Sequence, residues 1–207
     1  PRAMRNGIIV TVLFACLIGS ALLFYAGWEL IIVGLLCVLF AFLYTTGPYP
    51  LSYNGWGDVL VIVFFGFVPV GGTYYVQALT WTSDTTVASL ICGLLIDTLL
   101  VVNNYRDREA DARSGKRTVI VRFGEKFGRY LYLMLGVAAS LLCFWFFFEG
   151  HLFAALLPLL YLIPHVLTWR RMVQIHSGKK LNSILGETSR NMLLMGILLS
   201  IGFLIRH

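Results

Sequence analysis

Long apolar runs alternate with short polar breaks along the whole chain. Seven runs can be drawn, near residues 7–25, 30–46, 59–76, 86–102, 130–148, 152–169 and 192–206. Apolar stretches of about 18 residues are long enough to cross a bilayer as helices. The second, sixth and seventh are short for a hydrocarbon core of about 30 Å, and are expected to extend into their flanking segments. The pattern predicts an all-α fold, a polytopic transmembrane helix bundle forming a single domain over residues 1–207. In the third run, Pro69-Val70-Gly71-Gly72 is expected to weaken or kink the helix. Close helix packing is the simpler reason for the glycines, and a kink that opens a cavity is the alternative.

Composition agrees with the pattern. The chain is 58% hydrophobic and 13% charged, with a mean hydropathy of +0.81, whereas soluble domains carry about 25% charge. Charge falls in the breaks and on alternate sides. With Arg2 and Arg5 placed in the cytoplasm, the breaks at 46–58, 103–129 and 170–190 share that side. Fifteen of the 16 Lys and Arg then lie there, leaving only Arg206 opposite. The other breaks hold Glu29, Asp84 and Glu149 and no Lys or Arg. This bias predicts a multi-pass protein of the inner (plasma) membrane with residues 103–129 facing the cytoplasm. The net charge of +6 does not point to nucleic acid, because the cations sit in short breaks and form no basic face. Cys16, Cys37, Cys92 and Cys143 each fall inside an apolar run without metal-ligand spacing, and are expected to be buried small hydrophobes.

One break stands apart. Between Arg106 and Arg129 lie 8 of the 16 Lys and Arg and four of the 10 acids. At its start, Asn103, Asp107 and Asp111 recur every four residues, so a helix sets them in one row, with about 5–6 Å between neighbouring Cβ atoms. Amide and carboxylate oxygens are hard ligands that suit Mg²⁺, which is commonly shared with substrate phosphates. Arg106 lies on a neighbouring stripe. Arg113, Lys116 and Arg117 follow, with Gly115 allowing a turn. Arg holds phosphate oxygens bidentately and Lys acts as a point charge. A ligand row and then cations, at the mouth of an apolar bundle, suits metal-assisted binding of a diphosphate. The competing reading is an ordinary solvated loop.

Two other stretches add candidates. The segment Gly47-Pro48-Tyr49-Pro50-Leu51-Ser52-Tyr53-Asn54-Gly55-Trp56-Gly57-Asp58 is uncharged until its end, and its Pro and Gly exclude a regular helix. It reads either as an interfacial aromatic belt or as a binding surface facing the charged break. Asp97 lies inside the fourth run. An acid at that depth is costly and marks a functional or a paired residue. It either reaches the same cavity, as a proton acceptor, or pairs with a group such as Arg190 or Asn191. His165, beside Pro164, lines a cavity or is a satisfied buried histidine, the second being the simpler reading.

Asn103-Asn104-x-Arg106-Asp107-x-x-x-Asp111-x-x-x-Gly115-Lys116-x-Thr118 resembles the second aspartate-rich motif of the UbiA-type intramembrane prenyltransferases. Val121-Arg122-Phe123-Gly124, the loop from Tyr44 to Tyr53, and Leu181-Asn182-x-x-Leu185-x-x-Thr188 are similar to one branch, which prenylates 1,4-dihydroxy-2-naphthoate in menaquinone biosynthesis. The resemblance implies a nine-helix fold with two aspartate-rich motifs. Pro1-Arg2-Ala3-Met4 resembles the segment after the first motif, so two helices and that motif are expected upstream of this sequence.

The resemblance further implies that a polyprenyl diphosphate binds through Mg²⁺ and ionises to an allylic cation, which attacks an aromatic acceptor. In this branch the carboxylated ring carbon is prenylated and CO₂ is lost, giving the quinol form of demethylmenaquinone. Carried onto this sequence, Asn103, Asp107 and Asp111 are metal ligands, with Asp107 and Asp111 catalytic. Arg106, Lys116 and Arg117 contact the diphosphate, while Tyr44, Tyr49, Tyr53 and Asp97 are candidates for the acceptor and cation pocket. The implied partners are polyprenyl diphosphate, the naphthoate acceptor and the lipid bilayer. Alternatives are another acceptor, such as 4-hydroxybenzoate, homogentisate or haem, or a membrane transporter. A transporter needs polar residues along a mid-membrane path, and Asp97 is the one candidate the sequence offers.

Overall fold

The computed structural model describes residues 2–205, and its helices follow the apolar runs. Helix α1 spans Arg2–Ala26 and α2 Glu29–Thr45. Helix α3 is Gly57–Ala78, α4 Ser83–Arg113, the short α5 Val119–Phe123, α6 Glu125–Phe148, α7 Leu152–Ile175 and α8 Lys179–Leu204. All but α2 and α5 are long and apolar enough to span a bilayer. The seven predicted runs therefore become six such helices and a shorter one. At 17 residues, α2 reaches only about 26 Å along its axis. The sixth and seventh runs do extend into their flanks, as expected, while the Arg206 end of the seventh lies outside the described residues.

Helix α4 is the central element. Thr82 caps its first turn by accepting the Thr85 amide at 3.2 Å. Thirty-one residues give a length of about 46 Å, well over the hydrocarbon core, so one end stands clear of the apolar bundle. Half of its most apolar stretch is buried, against none of α1's. It packs chiefly on the middle of α3 and on α6. The α3 contact is nearly backbone to backbone. A Cβ on Gly93 would come 2.9 Å from the Ile62 carbonyl oxygen, so only glycine fits there.

The sequence around Pro69 produces more than a bend. Residues Ile62–Gly71 wind as a π-helix, in which Pro69's missing amide is accommodated by the wider turn. Within the motif, Gly71 packs against the Trp81 ring while Gly72 has open space beside it, so close packing accounts for one of its two glycines, and the helix is altered as expected.

Two core clusters line α4. One includes Val101, Tyr105, Ile120, Tyr132 and Met172, near the charged end. The other includes Ile91, Ala139, Phe146, Tyr161 and Met195, further away. Between them His165 lies sandwiched between the rings of Tyr132 and Tyr161, with centroids 4.7 and 5.0 Å away. Its two nitrogens bond the Tyr161 hydroxyl at 2.9 Å and the Leu133 carbonyl at 3.2 Å. His165 is therefore a satisfied core residue. The cysteines depart from expectation. Cys143 is buried, but Cys16 is exposed and Cys37 partly exposed, because α1 and α2 have few neighbours to cover them, and Cys92 on α4 is also partly exposed.

Candidate active site

The last turns of α4 form the site. Beyond the predicted run ending at residue 102, the helix continues unbroken to Arg113, so Asn103, Asp107 and Asp111 do share one face. A glycine turn then closes it. Gly115 takes a φ of 78°, its amide bonds the Ala112 carbonyl at 3.2 Å, and the Lys116 amide bonds the Asp111 carbonyl at 2.9 Å. This paired capping pattern satisfies two of the helix's free carbonyls and needs a left-handed residue between them. Its consequence is local. The chain folds Lys116 back, so that its Nζ lies 3.3 Å from Asp111 Oδ2. Thr118 then caps α5 by accepting the Val121 amide at 3.3 Å. Gly115, Lys116 and Thr118 thus act as a turn, a returned cation and a new helix start.

Arg106 does not stay on a separate stripe. Its guanidinium turns along the helix and grips Asp107 with two bonds, Nε to Oδ1 at 2.7 Å and Nη2 to Oδ2 at 2.6 Å. The same Nη2 donates to Asn103 Oδ1 at 2.8 Å, and Nη1 donates to Asn182 Oδ1 at 3.0 Å. Arg106 is therefore a clasp between α4 and the start of α8. Asp107 lies on the protruding part of α4, where the adjacent guanidinium holds its carboxyl below the usual carboxylate range.

The oxygens of Asn103 and Asp107 converge on one cationic nitrogen. Two hard oxygens one turn apart, aimed at a single positive centre, are what a divalent ion asks of this row, so these residues fit Mg²⁺ in part. Among the described residues no group of three or more His, Cys, Asp or Glu is placed to hold a metal.

The loop before α3 docks on this end. Its turn, Leu51–Asn54, is closed by the Trp56 amide bonding the Leu51 carbonyl at 3.1 Å. The Arg117 amide donates to the Tyr53 carbonyl at 2.7 Å, and Arg122 Nη2 donates to the Asn54 carbonyl at 2.7 Å. Of the two readings open for this loop, it faces the charged break, with Tyr49, Tyr53 and Trp56 still exposed. Arg117 contributes its backbone to that tie, and its side chain is exposed. Ser52 Oγ donates to the Tyr44 carbonyl at 2.5 Å, which fixes the end of α2 on the same loop.

Other island charges are structural. Glu125 collects Arg108 at 3.1 Å, His176 at 3.0 Å and Arg129. Arg108 also lies 4.6 Å from the centroid of the buried Tyr105 ring, and Arg129 Nε donates to the Tyr105 hydroxyl at 3.0 Å. These bonds join α4, α6 and α7 at the end where Arg106 meets α8. The breaks at 46–58, 103–129 and 170–190 thus share one end of the bundle, as the charge alternation required.

The deep acid behaves differently. Asp97 is 1% exposed and its Oδ1 accepts no hydrogen bond. The suggested pairing with Asn191 does not form. Asn191 donates to Thr168 at 2.9 Å, inside a network that includes Glu187 and Arg171. Asp58, at the start of α3, and Tyr44, at the end of α2, instead lie within electrostatic reach of Asp97. Sequence reasoning missed Asp58, although it is the one charge in its loop. It also missed the bond of Asn182 to Arg106, although Asn182 stands in one of the resembling motifs.

Comparison of the sequence with known proteins finds a family match. The UbiA prenyltransferase family matches residues 2–201. The chain belongs to the UbiA prenyltransferase family. Among UbiA relatives, a 1,4-dihydroxy-2-naphthoate octaprenyltransferase of Haemophilus influenzae is 36% identical over 99% of this chain and 68% of its own length. Proteins of the same description from Escherichia coli and Mycobacterium leprae are 38% and 39% identical, each over 69% of this chain and 48% of their own length. The chain therefore spans about two thirds of the first of these UbiA proteins and about half of the other two. No solved structure matches the chain significantly.

Proposed function

We propose that the protein transfers a polyprenyl group from a polyprenyl diphosphate to 1,4-dihydroxy-2-naphthoate, with loss of CO₂, in menaquinone biosynthesis. The observation that carries this reading is the convergence of Asn103 and Asp107 oxygens on one cationic centre beside Lys116, at the mouth of an apolar bundle. The acceptor is suggested by the naphthoate-prenylating relatives. The reaction is placed at the cytoplasmic face of the inner membrane, on the strength of the charge bias.

Asn103, Asp107 and Asp111 would hold Mg²⁺, which when bound supplies positive charge against a departing diphosphate. Arg106 and Lys116 now neutralise Asp107 and Asp111. A cation taking over those carboxylates would free both side chains to turn toward phosphate oxygens, Arg106 as a fork and Lys116 as a point charge. Arg117 lies at the rim as a third, weaker contact. Breaking the C1–O bond sends its electron pair to the diphosphate and leaves an allylic cation, which the exposed ring faces of Tyr49 and Tyr53, and that of Tyr44, would shield. The ring carbon bearing the carboxylate attacks it, and the carboxylate leaves as CO₂, returning its bonding pair to the ring. No side-chain nucleophile is needed.

The test is prenyl transfer in membranes carrying the protein, supplied with a polyprenyl diphosphate and, in separate arms, 1,4-dihydroxy-2-naphthoate, 4-hydroxybenzoate and homogentisate. Prenylated naphthoate, abolished by a chelator and restored by Mg²⁺, is the expected result. Prenylated hydroxybenzoate with naphthoate untouched would reassign the acceptor.

A further inference from the structure

We infer that Asp97, with Asp58 and Tyr44 near it, takes the phenolic hydroxyl that lies far from the acceptor's carboxylate. This rests on the reading above and names the part of the site that selects the acceptor. Tyr44 and Gly57 fix the geometry. A Cβ on Gly57 would meet the Tyr44 hydroxyl and the Leu100 side chain, each at 3.5 Å. Asp58 follows Gly57, and Asp97 is three residues before Leu100 on the same stripe of α4. Three polar groups from α2, α3 and α4 therefore meet inside an apolar bundle.

None of them is satisfied by another. Oδ1 of Asp58 and Oδ1 of Asp97 are buried and accept no hydrogen bond, and Asp97 is 1% exposed. A buried unpaired carboxyl oxygen is costly, and two within electrostatic reach of each other are more so. Such a set is kept for something that supplies a donor. A phenolic hydroxyl does: it donates to a carboxylate oxygen and can accept from the Tyr44 hydroxyl, so one oxygen atom completes the set.

The chemistry of the acceptor decides which hydroxyl. In a 1,4-dihydroxy-2-carboxylate ring the hydroxyl next to the carboxylate is tied to it internally. The remote hydroxyl is the free donor. The electrostatic polarity of the site agrees. Asp97 lies six residues, about 9 Å along the axis, before Asn103, while Arg106 and Lys116 lie beyond. An acceptor with its remote hydroxyl on Asp97 points its carboxylate away from the two acids and toward the cations. Asp97 is thus a positioning and specificity residue rather than the base of the reaction.

The test compares 1,4-dihydroxy-2-naphthoate with 1-hydroxy-2-naphthoate, which lacks only the remote hydroxyl. Binding of each to the purified full chain is followed by naphthoate fluorescence, without turnover. The native protein should prefer the dihydroxy compound by about tenfold to a hundredfold, the range for a hydrogen bond to a charged group. Asp97→Asn should erase most of that preference while leaving the KM for polyprenyl diphosphate unchanged, and Asp97→Glu should restore part of it. Asp58→Asn should reduce the preference less. Because Asp97→Asn replaces a buried, unpaired acid with an amide of the same shape, it should fold at least as stably as the native chain. A native preference that persists in Asp97→Asn overturns the inference, as does the absence of any native preference. A melting temperature that rises with Na⁺, K⁺ or Mg²⁺ and loses that response in Asp97→Asn, with the preference intact, would instead make the acids a cation site. Failure of prenyl transfer to every acceptor would sink the proposed function itself, and the binding comparison reads independently of it.

Discussion

Helix α4 carries two sets of acids that differ only in what surrounds them. Near its end, Asp107 and Asp111 retain side-chain exposures of 38% and 14%, and each is met by a cation of the same segment. Three turns earlier Asp97 is 1% exposed, and the charged group that acts on it is another acid, Asp58 of α3. The first set is neutralised by side chains that can be exchanged for a metal ion and a diphosphate. The second set stores an unfavourable interaction that a ligand can relieve. Charge that is balanced and movable suits catalysis of an ionisation, whereas charge that is fixed and unpaired suits recognition.

Neutralising the first set gives the largest expected effect. Asp107→Asn removes the carboxylate that converges with the Asn103 oxygen on Arg106, and prenyl transfer should fall by about 10²–10³-fold, the usual loss for one preorganised electrostatic group. Stability should change by under about 1 kcal/mol, since the Arg106–Asp107 pair is partly exposed. A thermal melt beside the transfer assay checks both. Native-like rates would remove Asp107 from the metal site. If instead both rate and stability collapse, Asp107 belongs to the clasp joining α4 to α8.

Lys116→Ala is expected to have a smaller effect, raising the KM for polyprenyl diphosphate by about tenfold, as for loss of one charge-assisted contact. Michaelis constants for both substrates distinguish this from a general loss, because the acceptor KM should not move. An unchanged diphosphate KM would leave Lys116 as a charge that only sets topology.

Much of this arrangement was legible in the sequence, because it depends on spacing along one helix. The period-four row, the glycine turn after it and the bias of cations to alternate breaks are all local properties of the chain. The apolar runs gave the helices for the same reason, since a span is defined by its length and composition. What stayed hidden depends on contacts between elements. That Asp58 comes within electrostatic reach of Asp97 depends on how α3 packs against α4, which no single segment encodes. The turn of Arg106 onto Asp107 was obscured by the helix-stripe picture, which places Cβ atoms but not the ends of long side chains. Helix α2 does not extend beyond its apolar run because Gly27, with a φ of 81°, and Thr46, in an extended conformation, bound it. The exposure of Cys16 depends on which faces of α1 find neighbours.

Gly115→Ala would sharpen the comparison by moving a member of the first set without removing it. No atom lies within 4 Å of the added Cβ, so the cost is that of a left-handed φ of 78° alone. That cost is about 1 kcal/mol. The substitution should lower stability by that amount in a denaturant titration and shift the diphosphate KM a few-fold, in the same direction as Lys116→Ala. A change in stability with no change in KM would mean that the return of Lys116 to Asp111 is not used in binding.

Arg117 gives the smallest expected effect. Its amide holds Tyr53 while its side chain is exposed, so the two roles can be separated. Arg117→Ala keeps the amide and should raise the diphosphate KM by only about twofold, consistent with a screened surface charge. Arg117→Pro also removes the donor, leaving the Tyr53 carbonyl unpaired at about 1 kcal/mol and loosening the loop that carries Tyr49 and Tyr53. The acceptor KM should then rise while the diphosphate KM stays near that of Arg117→Ala. If Arg117→Ala alone raises the diphosphate KM tenfold, the guanidinium belongs with Arg106 and Lys116, and the exchangeable set is larger by one.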